Sequence, residues 1–256
     1  MQNAGMENPD ELKGKVVQEF IAIARDSEDE NLAWDAIREL RRRGGHEVFE
    51  VVRSLIRSEK EKERILAANV LGQLGAPALP FRKESGDMLM STLEREKSVE
   101  VIKAICFALG HLKEARAINL LLNLKNHANA DIRYAVTHGL QCQTDPTAIQ
   151  GLIELSKDSD EDIRDWATFG LGSMIDVDSP EIREALFDRL NDKYPDAKGE
   201  AMVGLARRKD ERVVRLIIEE LQNPEGELPG YAQEAAEEFD HPEINSILEE
   251  KGFRRH

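Results

Sequence analysis

Aromatic residues, cysteines and long apolar runs are scarce in this sequence. Aromatic residues make up 5% of the 256 residues, while charged residues make up 33%, which argues against a β-sandwich or a large α/β core. No window approaches the roughly 18 uninterrupted apolar residues of a membrane-spanning helix, and the N-terminal segment lacks the apolar stretch of a signal peptide. The two cysteines, Cys106 and Cys142, show no metal-ligand spacing. We therefore expect reduced thiols in a cytoplasmic protein that binds no membrane and needs no cofactor.

A strongly basic surface is also missing. The net charge is −15, and residues 151–256 carry 27 acidic but only 14 basic side chains. Residues 51–150 alone are slightly basic, with 11 acidic and 14 basic side chains. Proteins that bind a nucleic-acid backbone usually present a basic face, so nucleic acid is disfavoured as a partner. The sequence also has no P-loop, dinucleotide fingerprint, nucleophile elbow or metalloprotease motif, and we assign no catalytic and no metal-binding residue.

What the sequence does contain is one helix-forming motif that is repeated seven times. The clearest copies are DIRYAVTHGL at 131–140 and DIRDWATFGL at 162–171. Each copy ends in a large apolar anchor residue, and the steps between anchors are 31, 38, 31, 31, 34 and 34 residues. The anchors are Leu40, Leu71, Leu109, Leu140, Leu171, Leu205 and Phe239. Self-similarity at this period predicts a stacked helical solenoid.

Each repeat is predicted to contain two helices, which we name the A helix and the B helix. The B helix carries the repeated motif, with core positions at the anchor and at four and eight residues before it. Prolines that follow Asp145 and Ser179 mark the starts of A helices. Pro242 begins one more A-type helix, which is expected to cap the C-terminal end.

The long step of 38 residues indicates an insertion over residues 75–86. We expect a disordered tail at residues 1–10, which have almost nothing apolar to bury, and a single solenoid domain at residues 11–256.

Basic residues recur seven positions before the anchor, each two residues after an aspartate. The pairs are Asp131 and Arg133, Asp162 and Arg164, and Asp196 and Lys198. We interpret them as a ladder of ion pairs between adjacent repeats that sets the spacing of the stack.

The pattern Asp-x-Val/Ile-Arg-x-x-Ala-x-x-x-Leu-Gly, on the second of two helices, resembles the HEAT repeat. The segments at 162–172 and 200–208 are similar to bacterial HEAT-repeat proteins, and in particular to the short HEAT-like repeats first associated with phycobilisome lyases. The resemblance covers residues 15–250. It implies an all-α, right-handed α-α superhelix, a HEAT-like solenoid of about seven two-helix repeats plus a C-terminal capping helix, with the B helices on the concave side. The family includes adaptors, chromophore lyases, a DNA glycosylase group and a di-iron hydroxylase.

Two of these activities have little support in the sequence. A di-iron site needs several His-Glu pairs, and the chain has one, at His46 and Glu47. A glycosylase needs a basic groove beside its aromatic residues and a carboxylate such as Asp165. The basic runs at 41–43 and 207–209 lie at B-helix ends, where we interpret them as helix caps.

The positions that do not repeat are the candidates for function. Residues six and two before each anchor share a helix face away from the core, and in repeats 1 to 5 this face carries aromatic residues, which mark binding surfaces. The predicted groove comprises Trp34, Arg38, Asn69, Lys103, Phe107, His111, Tyr134, His138, Asp165 and Phe169. Tight packing of these residues is the open alternative, and Trp166 is assigned to packing between repeats.

The leading hypothesis is therefore a non-enzymatic binding module or adaptor that holds a protein or peptide partner in this groove. We expect it to be a monomer. The alternative is a lyase or chaperone for a chromophore such as a bilin, in which Cys106 or Cys142 would contact the ligand.

Overall fold

The structure, a computed structural model, describes residues 14–223, 226 and 228–250. Every regular element in these residues is helical, which confirms the predicted all-α class. The chain forms two compact units, Met1–Glu114 and Ala115–His256, which are considered separately below as unit 1 and unit 2. The predicted tail at 1–10 lies outside the described residues, and the predicted single domain at 11–256 stays a prediction.

Unit 1 contains three helix pairs in the predicted order of A helix and B helix. The pairs are α1 (Val17–Asp26) with α2 (Glu30–Arg43), α3 (Gly45–Leu55) with α4 (Glu61–Leu71), and α5 (Arg82–Leu93) with α6 (Val99–His111). Each B helix packs on its own A helix, and α4 packs between α2 and α6. The predicted insertion is shorter than expected, because α5 already begins at Arg82 and residues 72–81 alone form the connection.

Unit 2 contains four further pairs and a final helix. The helices are α7 (Ile118–Leu122), α8 (Ala130–Leu140), α9 (Pro146–Leu155), α10 (Glu161–Phe169), α11 (Pro180–Arg189), α12 (Pro195–Arg207), α13 (Val214–Gln222), α14 (Pro229–Glu238) and α15 (Pro242–Glu250). A π-helical turn, Gly170–Met174, follows α10 directly. The proline signals are confirmed, since Asp145 accepts a hydrogen bond from the Thr147 amide at 2.8 Å and α15 begins at Pro242 and packs on α13 and α14.

The anchors and the residues four positions before them are buried in both units, whereas Leu32, eight positions before Leu40, is half-buried. All seven anchors are at most 2% exposed, and the residues four positions earlier are fully buried. Small residues let the B helices approach closely. A β-carbon added to Gly72 would lie 2.7 Å from the Cα atom of Ala108, and one added to Gly204 would lie 2.6 Å from that of Gly172. At these two places only glycine fits between the backbones of α4 and α6 and between α12 and the end of α10.

Glu63 is the exception to the apolar core pattern, because it occupies the position eight residues before Leu71. Its carboxylate accepts hydrogen bonds from the hydroxyl of Ser58 at 2.6 Å, from Lys60 at 3.1 Å and from Arg25 at 3.4 Å. The hydroxyl of Ser58 and these cations hold the pKa of Glu63 below its usual value. The buried carboxylate is thus paired, as a charge in a helix interface needs to be.

The ladder of ion pairs is present, but its acidic partners are not the predicted aspartates. Arg133 binds Asp158 through two hydrogen bonds of 2.7 and 2.9 Å, and Arg164 binds Asp192 through two of 2.9 Å. In unit 1, Arg64 binds Glu96 in the same way. Each acid lies in the turn between the A and B helices of the following repeat. There it also accepts backbone amides, as Asp158 does from Asp160 at 2.9 Å. The predicted partners, Asp131, Asp162 and Asp196, lie instead in the first turns of their own B helices, where a negative charge is favourable.

The basic runs at the B-helix ends bind backbone carbonyl groups of neighbouring repeats. The guanidinium of Arg208 is buried and donates to the carbonyl oxygens of Leu171 at 2.7 Å, Gly172 at 2.9 Å and Val177 at 2.9 Å, among others. Arg41 donates to the carbonyl oxygen of Asn69 at 2.9 Å. These contacts agree with the capping interpretation, although the capped helix belongs to an adjacent repeat.

Candidate functional site

The three B helices of unit 1 border an open cavity of about 430 Å³, which we name the unit 1 pocket. Helix α2 contributes one wall, α4 the centre and α6 the opposite wall. The lining residues are Trp34, Arg41, Ile65, Asn69, Glu100, Lys103, Ala104, Phe107, Ala108 and His111. The pocket thus lies on the helix face that carries the non-repeating positions.

Five predicted groove residues of unit 1 line this pocket, and one does not. Trp34, Asn69, Lys103, Phe107 and His111 are among the lining residues. Arg38 lies outside the lining, where its side chain is 63% exposed and pairs with Asp35 on the same helix.

The apolar lining comes from side chains that are incompletely buried. Trp34 is 43% exposed, which is unusual for so large an apolar residue, and Ile65 and Phe107 are each partly exposed on the neighbouring B helices. Ala104 and Ala108 leave room beside Phe107 on α6. An exposed aromatic surface of this kind can bury apolar area when it binds a partner.

Arg41 is the basic lining residue that the sequence analysis did not include in the predicted groove; Ile65, Glu100, Ala104 and Ala108 also line the pocket without having been predicted. Arg41 lies one position after the anchor of α2, and its guanidinium is 5.8 Å from the centre of the Trp34 ring. Besides the carbonyl oxygen of Asn69, it donates to the side chain of Gln73 at 3.0 Å. Burial and the neighbouring charge of Arg38 lower the pKa of Arg41. Within the described part of the chain, Arg41 has no carboxylate partner.

The other charged groups of the pocket are largely compensated. Lys103 forms an ion pair with Glu100 at 3.2 Å, one turn away on α6. His111 lies at the rim, and partial burial of its imidazole together with the charge of Arg41 lowers its pKa. The lowered pKa favours the neutral imidazole, and the uncompensated charge of the pocket is that of Arg41.

The four predicted groove residues of unit 2 belong to α8 and α10, and three of them form an aromatic cluster. The rings of Tyr134 and His138 are 4.7 Å apart, and His138 is 4.4 Å from Trp166. Trp166 in turn is 5.6 Å from Phe169. Trp166 thus packs between repeats as predicted. It also contacts His138 and Phe169, two residues of the predicted groove, although the sequence analysis left Trp166 out of that groove. In this unit the rings pack on one another and are half-buried.

Asp165, the fourth of these residues, faces an acidic region formed with α12 and α14. Burial, together with the charges of Asp196 and Asp162, raises the pKa of Asp165 to about 6. Burial and the charge of Asp165 likewise raise the pKa of Glu200 to about 7. The hydroxyl of Tyr231 donates to Asp196 at 3.1 Å. These raised pKa values reflect first the burial of the two carboxyl groups and then the like charges held near them on α10, α12 and α14.

The cysteines differ in their accessibility. Cys106 is completely buried in α6, and burial raises the pKa of its thiol to about 12. A thiol that is protonated and inaccessible does not attach a ligand. Cys142 is partly exposed just after α8.

The described residues contain neither a metal-binding cluster nor a membrane-spanning helix. No set of three or more His, Cys, Asp or Glu side chains in residues 14–223, 226 and 228–250 is grouped so that it could hold a metal ion. Across the same described ranges, none of the helices combines the length and apolar composition that a membrane crossing requires.

Comparison with known proteins supports the helix-pair interpretation. The family model for HEAT repeats matches residues 86–172. Protein YibA of Escherichia coli (strain K12) is 33% identical over 127 residues, which cover 50% of this chain and 34% of YibA. The YibA protein of Escherichia coli O157:H7 matches with the same figures. The matching segment thus spans about a third of the length of these curated relatives.

Solved structures share the fold at low sequence identity. The X-ray structure of Escherichia coli YibA has a TM-score of 0.70 and 21% identity, over 92% of this chain and 86% of that chain. A crystal structure of an engineered protein has a TM-score of 0.54 and 15% identity, over 93% of this chain and 72% of that chain. Human deoxyhypusine hydroxylase in complex with glycerol aligns with a TM-score of 0.38 and 16% identity, over 94% of this chain and 90% of that chain, a likeness too weak to bear on function.

Proposed function

We propose that this chain, a HEAT-repeat protein, is a non-enzymatic binding module that holds a segment of a partner protein in the unit 1 pocket. The observation that carries the proposal is the lining of the pocket, in which Trp34 on α2 and Phe107 on α6 remain accessible on either side of α4 instead of packing into the core. Packing does not require large aromatic residues at these positions, and their exposure in the absence of a partner is unfavourable.

The dimensions of the pocket suit side chains of a peptide segment. A volume of about 430 Å³ lies within the roughly 300–1,000 Å³ of typical binding pockets. Polar groups stand beside the apolar lining, where Asn69 and Lys103 can orient a bound chain. Buried aromatic anchors that are surrounded by polar groups carry most of the binding energy of protein interfaces.

We further propose that the protein acts in the cytoplasm as a monomer. The cytoplasmic location is supported by the two free thiols, Cys106 and Cys142, which remain reduced in that compartment.

The test compares proteins captured from a lysate of the source organism by the wild-type chain and by Phe107→Ala. Met174→Ala is the matched control, because Met174 is an exposed apolar residue of unit 2, at 38% exposure, outside the pocket. We expect at least one protein that the wild type and the control capture equally and that Phe107→Ala captures about tenfold less. Circular dichroism checks that each variant is folded. An identical set of captured proteins for all three chains would refute the proposal.

A further inference from the structure

The unit 1 pocket has a single uncompensated charge, that of Arg41. Its Nε atom donates to the carbonyl oxygen of Asn69 and its Nη1 atom to Gln73. In the described residues, Nη2 has no acceptor and no carboxylate lies within ion-pair distance of the guanidinium. The two contacts nevertheless hold the side chain in place beside Trp34.

The neighbouring charges do not offset this cation. Glu100 is held by Lys103 at 3.2 Å, and Asp35 is held by Arg38 outside the lining. The pocket therefore combines an apolar floor with a fixed cation at its α2 wall.

A half-buried guanidinium without a counterion favours a ligand that supplies one. Burial removes part of its hydration, and a carboxylate that accepts from Nη2 forms a charge-assisted hydrogen bond. Such a bond is stronger here than at an open surface, because the apolar walls lower the local dielectric.

We propose that the unit 1 pocket selects acidic peptide segments in which a large apolar side chain lies next to an aspartate or glutamate. This inference rests on the proposed function. The apolar side chain packs on Trp34, Ile65 and Phe107, and the carboxylate accepts a hydrogen bond from Nη2 of Arg41. Charge complementarity thus identifies the partner as acidic, even though the chain as a whole carries a net charge of −15.

The first experiment selects binders from a displayed library of random 12-residue peptides. The library is selected in parallel on the wild type, Arg41→Gln, Phe107→Ala and Arg53→Gln. Glutamine at position 41 can still donate to the Asn69 carbonyl but removes the charge. Arg53→Gln is the charge-matched control, because Arg53 lies on α3, is half exposed and pairs with Glu50.

With the wild type and Arg53→Gln, we expect Asp or Glu to be enriched at least about threefold within two positions of a large apolar residue. With Arg41→Gln the apolar residue should remain while the acidic enrichment disappears. If acidic residues are not enriched on the wild type, or remain enriched on Arg41→Gln, the inference is overturned while the pocket itself stands. If Phe107→Ala selects the same peptides as the wild type, the proposed function fails as well.

A second measurement uses the wild-type pocket and does not depend on the folding of Arg41→Gln. The chain has two tryptophans, so Trp166→Phe leaves Trp34 as the only tryptophan, whose fluorescence can be excited selectively. The strongest selected peptide and its analogue with Asn or Gln in place of the acid are titrated against this variant. We expect the neutral analogue to bind at least about fivefold more weakly. A smaller difference would overturn the inference.

Discussion

Replacing Glu200 by glutamine should stabilise unit 2 at alkaline pH and have little effect at acidic pH. Glu200 lies on α12 and is half-buried among carboxylates, with Asp165 on α10, Glu234 on α14 and Asp196 one turn earlier on its own helix. The hydroxyl of Ser173 favours its ionised form. Glutamine keeps the shape and an acceptor for that hydroxyl but removes the charge.

The size of the effect follows from the pKa of Glu200, which is raised from 4.5 to about 7. At about 1.36 kcal/mol per pKa unit, this rise corresponds to roughly 3 kcal/mol. Glu200 is partly exposed, so solvent screening reduces the expected effect to on the order of 1–2 kcal/mol. The pKa of Glu200 is higher in the folded state than in the unfolded state. At a pH between these two values, the folded protein therefore binds more protons than the unfolded chain does. The wild type therefore loses stability as pH rises from about 4.5 to about 7 and changes little beyond.

The assay is urea unfolding at pH 5 and pH 8.5, followed by the fluorescence of Trp166 in a Trp34→Phe background. Trp166 is then the only tryptophan and reports on unit 2 alone. Glu200→Gln should exceed the parent by about 1–2 kcal/mol at pH 8.5, and the difference should shrink towards zero at pH 5. Glu237→Gln, an exposed residue of α14, serves as the control and should change stability by less than about 0.5 kcal/mol. An equal gain at both pH values, or none at pH 8.5, would refute the argument from clustered carboxylates.

Three further outcomes follow from the contacts. Arg208→Met should destabilise unit 2 by about 3 kcal/mol in urea unfolding, because it leaves several buried carbonyl groups without donors. Arg215→Met is the control and should change the stability little, because the side chain of Arg215 is 90% exposed. Gly204→Ala should lower the unfolding midpoint, since its β-carbon would lie 2.6 Å from a backbone atom of the adjacent repeat; an unchanged midpoint would show that the helices can separate freely. A thiol reagent at pH 8 should react with Cys142 in the native protein and with Cys106 only after denaturation, and two rapid native equivalents would contradict the buried site.

The repeating positions could be predicted from the sequence because one physical constraint acts on all of them. A B helix must bury the residues at its anchor and at four and eight positions before it, and this requirement returns with every repeat. Glu63 departs from this apolar pattern, and three donors satisfy its carboxylate. Proline and its capping residue likewise act through local geometry, so the start of α9 at Pro146 follows directly from Asp145.

Contacts between repeats were harder to predict because they depend on which turn lies beside which helix. The spacing of Arg164 from Asp162 suggested a pair, but the arginine reaches forward to Asp192 in the next A–B turn. Asp162 lies two residues from Arg164 in the sequence and Asp192 lies 28 residues away, so proximity along the chain favoured the wrong acid. Trp166 illustrates the same point, since its packing role follows from its equivalents in other repeats, while its contact with His138 at 4.4 Å depends on the register of α8 and α10.

Arg41 could have been recognised from its position in the repeat. The residue after the anchor is glycine in three other repeats, at Gly72, Gly110 and Gly172. Where Gly72 faces Ala108, a single β-carbon would come within 2.7 Å of backbone, so this position normally serves close packing. At the equivalent place α2 carries an arginine, whose guanidinium reaches α4 and also faces the unit 1 pocket. A large charged side chain at a position where other repeats use glycine gives up close packing. We therefore expect a ligand to supply the acidic group that pairs with the guanidinium of Arg41. The peptide selection on Arg41→Gln tests this expectation directly.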